Sequence, residues 1–277
     1  PSHIDLFDPK PALIKYAGQP LPESFGPVMT RRNVAQNPLK PPVLPFRRHG
    51  KSGLEVSDFL PEVAKCVDKI ALLRGCHGDS VNHPQSVYQM NTGSILMGRP
   101  SLGSWVSYGL GTENQNLPAY VVLPDPGGAP KGGPPAWGSG YLPATYQGTL
   151  MRPGSAPLVN LQPPPDFGGG QQRSALDLVR QLNARHLDAR DFDSELAARV
   201  DAYELAFRMQ MSVPELTDIS SEPDYVKRAY GVEGPDGSFA YNCLLARRLA
   251  ERGVRFVQLY HRGWDHHDHL VKYMGEA

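Results

Sequence analysis

The segment from Phe239 to Tyr260 constrains the fold more than any other part of the chain. Phe239 to Glu251 has apolar residues at helical spacing, and Gly253 follows in the position of a helix C-cap. Val254 to Tyr260 is then a short, largely apolar run, which is typical of a buried strand. A helix that leads at once into a buried strand is half of an α/β unit, so the sequence predicts an α/β fold.

Two more predicted strands extend this pattern. Ser57 to Val67 is predicted as a helix that leads into the apolar strand Ile70 to Leu73, and Ala119 to Leu123 is predicted as a further strand. We expect the three strands to lie in one mainly parallel sheet. Two shorter helices are predicted between them, at Gln85 to Asn91 and at Leu102 to Leu110.

Two long segments are predicted to cover the sheet. Residues 124–170 are rich in Pro and Gly and carry Trp137, Tyr141 and Tyr146, so we expect an ordered loop near the active site. Residues 174–215 have apolar residues at helical spacing and are predicted as a helical insertion or cover. We treat residues 1–277 as a single domain that includes both segments.

Composition excludes several classes of protein. The formal net charge is zero, which provides no field to hold a nucleic-acid backbone or an anionic membrane. No apolar run approaches the ~20 residues that span a membrane. The three cysteines lack CxxC spacing and indicate thiols, with one bridge possible. The chain begins at Pro1 without an initiator Met, so we interpret it as a piece of a longer protein.

Three polar clusters lie where strands are expected to end, at residues 2–8, 77–83 and 261–269. The carboxyl ends of parallel strands meet at one edge of a sheet, where open α/β folds place their chemistry. Alternate residues of an extended segment point the same way, so Asp265 and His267 are predicted to share one metal ion. Their oxygen and nitrogen donors suit zinc, manganese or iron.

Simpler interpretations of each cluster stay open. A His-rich run also occurs in exposed loops and in adventitious metal binders. Asp5 and Asp8 fit turn or cap positions as well, since Asp8 precedes a proline. His77 and His83 fit ordinary histidines of a loop or a core. The hypothesis of one site rests on all three clusters following predicted strands.

Three stretches of the sequence resemble one bacterial family. They are Pro1-Ser-His-Ile-Asp-Leu-Phe-Asp-Pro-Lys-Pro11, Asn82-His83-Pro84 continuing to Met90-Asn91-Thr92-Gly93, and Tyr260-His-Arg-Gly-Trp-Asp-His-His267. In combination they are similar to the domain of unknown function 1501 family, which is labelled sulfatase-like and belongs to the alkaline phosphatase superfamily. The resemblance extends from Pro1 to about Leu270.

The resemblance implies a three-layer α/β/α sandwich with a mostly parallel central sheet and a two-metal site at the strand ends. It implies that Asp5, Asp265 and His267 bind divalent ions such as zinc, manganese or calcium. Family members carry a further Asp-His pair and a Glu-Phe-Gly-Arg motif downstream, so we expect this chain to be incomplete at both ends and inactive as it stands. The resemblance also implies export to the periplasm or the extracellular space.

One position departs from the sulfatase pattern. The sulfatase nucleophile, a modified Cys or Ser, precedes a Thr-Gly by a short helical stretch, and the same interval before Thr92-Gly93 leads to His83. Three explanations stay open. Ser80 or Ser86 takes this role, a metal-bound water attacks directly, or the protein does not hydrolyse esters in this way.

The leading functional hypothesis is a metal-dependent hydrolase of sulfate or phosphate esters, acting on a small-molecule or glycan ester. His83 and His77 are the predicted catalytic residues that line the anion pocket. Arg74 or Arg262 is a candidate counter-charge for the substrate, with a surface role as the alternative for each. A second hypothesis is a non-catalytic binding or scaffold protein that retains the fold, and a third is a structural, export-associated protein without bound metal.

Overall fold

The computed structural model describes residues 5–26, 37–158, 161, 168–188, 194–262, 264, 266 and 269–276. The chain divides into two compact units, residues 1–81 with 263–277 and residues 82–262. Among the described residues, no helix has the length and apolar character that crossing a membrane requires.

Helices and strands are mixed along the chain. The first unit begins with α1 (Pro11–Lys15), β1 (Phe46–His49), β2 (Leu54–Ser57) and α2 (Pro61–Ala64). The second unit contains α3 (His83–Thr92), α4 (Leu102–Leu110), β3 (Tyr120–Leu123), β4 (Thr149–Leu150), α5 (Gly169–Asp188), α6 (Ser194–Thr217), α7 (Asp224–Tyr230), α8 (Phe239–Glu251) and β5 (Phe256–Leu259). The chain then returns to the first unit with α9 (Leu270–Glu276).

The second unit contains a three-stranded parallel sheet. β3 lies in the centre, with β4 on one side and β5 on the other. In the register of β3 and β5, Leu123 lies opposite Leu259. The predictions that 119–123 and 254–260 form strands of one parallel sheet are therefore confirmed. The protein is mixed α/β, as the sequence predicts.

Helices cover both faces of this sheet. The residues of β3 are all buried and alternate between two cores, because successive side chains of a strand point to opposite faces. The core shared with α6 and α8 contains Val121, Leu123, Val213, Leu216, Leu244 and Leu249. The core shared with α3 contains Tyr88, Tyr120, Val122 and Trp137.

Small residues allow close approach to the ring of Tyr120. Helix α4 buries Gly103, Ser104 and Ser107, and a Cβ added at Gly103 would lie 2.5 Å from that ring. A Cβ added at Gly148 would lie 3.0 Å from the same ring. Helix α4 thus packs on the sheet through its small face and leaves its larger side chains outside.

Helix α8 ends in the Schellman motif that Gly253 predicts. The N–H of Val254 donates to the carbonyl of Leu249 at 3.1 Å, and that of Gly253 to the carbonyl of Ala250 at 3.0 Å. Gly253 has φ +79°, a conformation that glycine adopts without strain. The chain therefore turns from α8 directly into β5.

Arg248 of α8 binds the carboxyl end of α6. Arg248 is buried, with 4% of its surface exposed. The guanidinium donates to the carbonyl oxygens of Leu216 at 2.8 Å, Glu215 at 2.9 Å and Asp218 at 2.8 Å, and also to the carboxylate of Glu222. Helix-end carbonyls lack a donor within their own helix, so this arginine supplies the missing hydrogen bonds.

The first unit contains an antiparallel hairpin. β1 pairs with β2 so that Phe46 lies opposite Ser57. The turn between them is held by Asp68, whose carboxylate accepts the N–H of Lys51 at 3.0 Å and that of Ser52 at 2.8 Å. These two hydrogen bonds lower the pKa of Asp68. The sequence patterns do not predict this hairpin.

Three predicted elements need correction. Ile70–Leu73 is not a strand; it has no regular structure and Leu73 is exposed, because no strand in the described part of the chain pairs with it. Ser57–Val67 is not one helix, since Ser57 pairs in β2 and the helix begins only at Pro61. Residues 124–170 are not all loop, because they contain β4 and the start of α5.

The other helical predictions are confirmed. Leu102–Leu110 and Phe239–Glu251 have the predicted bounds, and the predicted Gln85–Asn91 lies within α3. The helical pattern over 174–215 corresponds to α5 and α6. Of the aromatic residues in 124–170, Trp137 is buried, Tyr146 is half-buried and Tyr141 is exposed.

Candidate active site

The carboxyl ends of β3 and β5 bring polar residues to the same edge of the sheet. Asp125 lies two residues beyond Leu123, and His261 lies two residues beyond Leu259. Because these leucines are partners in the register, Asp125 and His261 occupy equivalent positions beyond adjacent parallel strands. The Nε2 atom of His261 lies 4.0 Å from Oδ2 of Asp125. This is the edge at which open α/β folds bind ligands.

Asp125 also organises the backbone at this edge. Its Oδ1 accepts the N–H of Gly127 at 2.7 Å, and its Oδ2 accepts the N–H of Arg262 at 2.9 Å. The carbonyl of Asp125 accepts the N–H of Gly128 at 2.8 Å. The side chain of Arg262 also binds the turn after β3, since its Nη1 donates to the carbonyl of Gly127. The carboxylate therefore joins the turn after β3 to the chain after β5.

His261 is held in one orientation by an aromatic contact. Its ring stacks on Phe239 with centroids 4.2 Å apart and an angle of 13° between the planes. Burial lowers the pKa of His261, and the negative charge of Asp125 partly opposes this effect. The imidazole is therefore mainly neutral near pH 7. A neutral imidazole accepts a proton or binds a metal ion.

An aromatic and amide network lies beside the end of β5. The hydroxyl of Tyr260 donates to Oδ1 of Asn91 at 3.0 Å, and the rings of Tyr260 and Trp137 are 5.9 Å apart. Burial raises the pKa of Tyr260, so its hydroxyl remains a donor at neutral pH. Asn91 is fixed in turn, because its Nδ2 donates to the carbonyl of Val87 at 2.7 Å. Helix α3 is thereby connected to the candidate active site.

Asn242 of α8 supports the turn after β3 from the interior. It is 1% exposed, and its Nδ2 donates to the carbonyl of Pro124 at 2.8 Å. Its Oδ1 has no hydrogen-bond partner among the described residues. Sequence reasoning identified neither Asn242 nor Asp125. Asp125 does carry a signal, since it follows the predicted strand 119–123 as closely as the histidines follow 254–260.

The predicted metal ligands Asp5, Asp265 and His267 stay a prediction. Asp265 and His267 lie outside the described residues, and so does any contact between them and Asp5. Asp5 is half-buried, and its Oδ1 accepts the N–H of Val43 at 3.4 Å. Across the described ranges, no group of three or more His, Cys, Asp or Glu residues is arranged to hold a metal ion.

The predicted anion-pocket residues lie in different units. His77 is exposed in an irregular segment of the first unit, and His83 is the exposed first residue of α3 in the second. Their role in an anion pocket stays a prediction. Arg74 forms an ion pair with the buried carboxylate of Asp8 at 3.7 Å, whereas Arg262 binds the turn after β3. Both arginines thus have structural contacts.

Comparison with known proteins identifies one family. A family model described as protein of unknown function (DUF1501) matches residues 1–277. No curated protein and no solved structure matches the chain.

Proposed function

The chain belongs to the DUF1501 family, and from that premise we propose that it is a metal-dependent hydrolase of sulfate or phosphate esters. The observation that carries the proposal is the position of Asp125 and His261 beyond adjacent parallel strands. A polar pair at this edge of a parallel sheet is the usual location of α/β active sites. The helices on both faces of the sheet support the further proposal of a three-layer α/β/α sandwich like that of alkaline phosphatases.

The proposed metal ligands are Asp5, Asp265 and His267. Asp5 fits this role, because its Oδ2 has no hydrogen-bond partner among the described residues and the single bond to Oδ1 is long, at 3.4 Å. Carboxylate and imidazole donors suit zinc or manganese, and carboxylates also suit calcium. A bound divalent ion would polarise the ester and activate water.

His261 is proposed to move a proton during hydrolysis. Its lowered pKa keeps the imidazole neutral near pH 7, so Nε2 is able to accept a proton. Asp125, 4.0 Å away, stabilises the imidazolium that then forms. Stacking on Phe239 fixes the plane of the ring while its charge changes. In this proposal His261 is the base, Asp125 is its counter-charge and Phe239 holds the ring in position.

The proposal is tested by metal content and turnover together. The purified chain, and a C-terminally extended form, are analysed for zinc, manganese and calcium by mass spectrometry and assayed with 4-nitrophenyl sulfate and 4-nitrophenyl phosphate. We expect Asp265→Asn and His267→Gln to lower bound metal, and His261→Gln to lower turnover with metal content unchanged. His186→Gln on the exposed surface of α5 is the matched control. Absence of bound metal and of turnover in both forms would refute the hydrolase.

The second candidate is a binding or scaffold protein that retains this fold. It is favoured by one observation, that both oxygens of Asp125 accept backbone N–H groups and therefore serve a structural purpose. Bound metal without ester hydrolysis in the extended form would support this candidate. In either case we propose an exported protein, which cell fractionation tests through its presence in the periplasm or medium.

A further inference from the structure

A second cleft lies at the opposite edge of the same sheet. Its volume is about 960 Å³, at the upper end of the range for small-molecule sites. Its floor includes Tyr120 and Thr149, the first residues of β3 and β4, so the cleft opens at the amino ends of the strands. Residues of α6 and the turn Ala144–Tyr146 form its walls. Asp125 and His261 do not line it.

Four aromatic rings extend outward from one wall of this cleft. Tyr146 lines the cleft and contacts Tyr108 edge to face, with ring centroids 5.2 Å apart. Tyr108 contacts Trp105 at 6.2 Å, and Trp105 contacts Tyr141 at 6.0 Å. Three of the rings are 43–68% exposed, namely those of Trp105, Tyr108 and Tyr141. The series forms a continuous aromatic surface that begins inside the cleft.

This aromatic surface is not required to pack α4. The helix packs on the sheet through Gly103, Ser104 and Ser107, and presents Trp105 and Tyr108 on its exposed side. Such an arrangement reverses the usual amphipathic pattern, in which large apolar residues face the core. Contiguous exposed apolar surface on a folded protein commonly marks a binding site. The exposed rings are therefore a candidate surface for stacking against a ligand.

Several polar side chains of the lining are available to bind a ligand. Gln115, Gln147 and Arg208 are exposed, and within the described part of the chain their side chains make no hydrogen bond or ion pair. At the floor, the buried Oγ of Ser107 has no partner among the described residues. Amide and guanidinium groups that are not engaged with the protein remain free to bind a polar ligand.

One charged group of the lining is available to an anionic ligand. Glu204 pairs with Arg173, which binds both of its carboxylate oxygens at 3.0 and 2.8 Å and also binds the carboxylate of Asp177 at 3.1 Å. The remaining charged residues of the lining are three arginines and two carboxylates, namely Arg180, Arg199, Arg208, Glu195 and Asp201. With Glu204 the lining carries three cations and three anions, and Arg208 is a cation whose side chain makes no hydrogen bond or ion pair within the described part of the chain. Arg208 is therefore the group available to an anionic substituent of a ligand.

We propose that this cleft binds an oligosaccharide that carries carboxylate or sulfate groups. Sugar rings have apolar C–H faces that stack on aromatic side chains, and hydroxyls that bind amide groups. Tyr146 and Tyr108 provide the stacking surface, Gln115 and Gln147 bind hydroxyls, and Arg208 binds the anionic group. Binding at this cleft does not depend on the proposed hydrolysis at the other edge.

Affinity electrophoresis tests the proposal. The native protein is run through gels that contain hyaluronan or pectin as carboxylated probes, chondroitin sulfate or carrageenan as sulfated probes, and dextran or laminarin as neutral controls. We expect retardation by at least one anionic polysaccharide and none by the neutral ones. Retardation in the carboxylated or the sulfated gels distinguishes the two sources of charge. Failure of all four anionic probes to retard the protein would overturn the proposal.

Variants assign the binding to this cleft. Tyr146→Ala and Gln147→Ala should each weaken retardation, the first by about fivefold through loss of stacking, whereas Tyr146→Phe should retain it. Tyr225→Ala removes a ring on α7 that is 68% exposed and does not line the cleft, and it should have no effect. Thermal unfolding of each variant detects misfolding, and Gln147 keeps the test valid if Tyr146→Ala does not fold. Unchanged retardation in both alanine variants would contradict the assignment.

Discussion

The backbone N–H of Arg262 donates to Oδ2 of Asp125 at 2.9 Å and so joins the chain beyond β5 to the chain beyond β3. This bond fixes the backbone position of Arg262. The next residues along the sequence include Asp265 and His267, the predicted metal ligands. The carboxylate of Asp125, which the sequence analysis does not identify, thus holds the backbone of the segment that leads to Asp265.

Asp125→Asn should lower the pKa of His261 further. The negative charge of Asp125 is the influence that raises this pKa against the larger effect of burial, and the amide removes that charge at nearly constant shape. The amide also gives up one of the two backbone N–H groups that the carboxylate accepts, because its nitrogen is only a donor. The pKa is measured from the Cε1–H resonance of His261 in a pH titration by NMR. Asp201→Asn, which removes an exposed charge on α6, is the control and should leave the titration of His261 unchanged. A rise in the pKa of His261 on Asp125→Asn would contradict the contact.

Stability should fall in mild acid because of the same histidine. The pKa of folded His261 lies below its ordinary value of 6.5, so between these two values the unfolded chain binds more protons. The contribution of the neutral imidazole is present above pH 6.5 and is lost as the pH falls towards the folded pKa. His261→Gln should flatten this part of the profile of unfolding free energy against pH, measured by urea denaturation at each pH.

Gly103→Ala should destabilise the protein, whereas Gly109→Ala in the same helix should not. A Cβ at Gly103 would lie 2.5 Å from the Tyr120 ring, and overpacking of this kind costs about 1–3 kcal/mol. A Cβ at Gly109 meets no atom within 4 Å, so the higher helix propensity of alanine should add up to about 1 kcal/mol. Chemical denaturation measures both. Equal effects at the two positions would show that α4 does not pack on Tyr120 as described.

Arg248→Ala should be among the most destabilising substitutions in the chain. It removes a buried guanidinium from three carbonyl oxygens and leaves the Glu222 carboxylate without this partner, a change that costs about 3–5 kcal/mol. Arg252→Ala at the C-cap of the same helix removes an ion pair with the exposed Glu215 and one hydrogen bond to the carbonyl of Arg248, and should cost about 1 kcal/mol. The free energy of unfolding of the two variants should therefore differ clearly.

Asp68→Asn should weaken the hairpin of the first unit and change its response to acid. The N–H groups of Lys51 and Ser52 lower the pKa of Asp68 below 3.8, so their stabilising effect is present above pH 3.8 and is lost as the pH falls through the folded pKa. Amide hydrogen exchange at Lys51 and Ser52 should become faster in the variant. In the wild type, exchange at these two amides, measured relative to the intrinsic rate, should also become faster as the pH falls through the folded pKa of Asp68.

Local signals account for the elements that the sequence predicts correctly. Helix α8 and strand β5 are joined by Gly253, whose hydrogen-bond pattern depends on only a few neighbouring residues. Strand β4 has two residues and no periodicity to detect. Ile70–Leu73 shows the opposite error, since a short apolar run does not specify a partner and pairing decides whether it becomes a strand. Elements that depend on distant partners were therefore missed or misassigned.

The candidate site was predicted to a similar extent. The edge of the sheet followed from the order of elements, because His261 comes directly after a strand that the sequence identifies. Asp125 also follows a predicted strand, but a single aspartate in a loop is a weaker sequence signal than a run of histidines. Asn242 has no signal at all, since its contact with Pro124 joins positions 118 residues apart. Contacts of this range are visible only in the folded protein.

The close packing around Tyr120 makes the substitutions that Gly103 and Gly148 tolerate depend on the residue at position 120. Gly103 and Gly148 both lie against this ring, but a Cβ at Gly103 would also meet Phe256 at 2.7 Å and one at Gly148 would meet Val122 at 2.6 Å. A smaller residue at 120 would therefore relieve each position only in part while opening a cavity. A substitution at Gly103 should therefore be tolerated better, though not fully, after Tyr120 has changed, because Phe256 still limits the space. In a double-mutant cycle the effects of Tyr120→Leu and Gly103→Ala should be non-additive, with the pair more stable than the sum of the two changes implies. The order in which such mutations arise would then decide which of them survive.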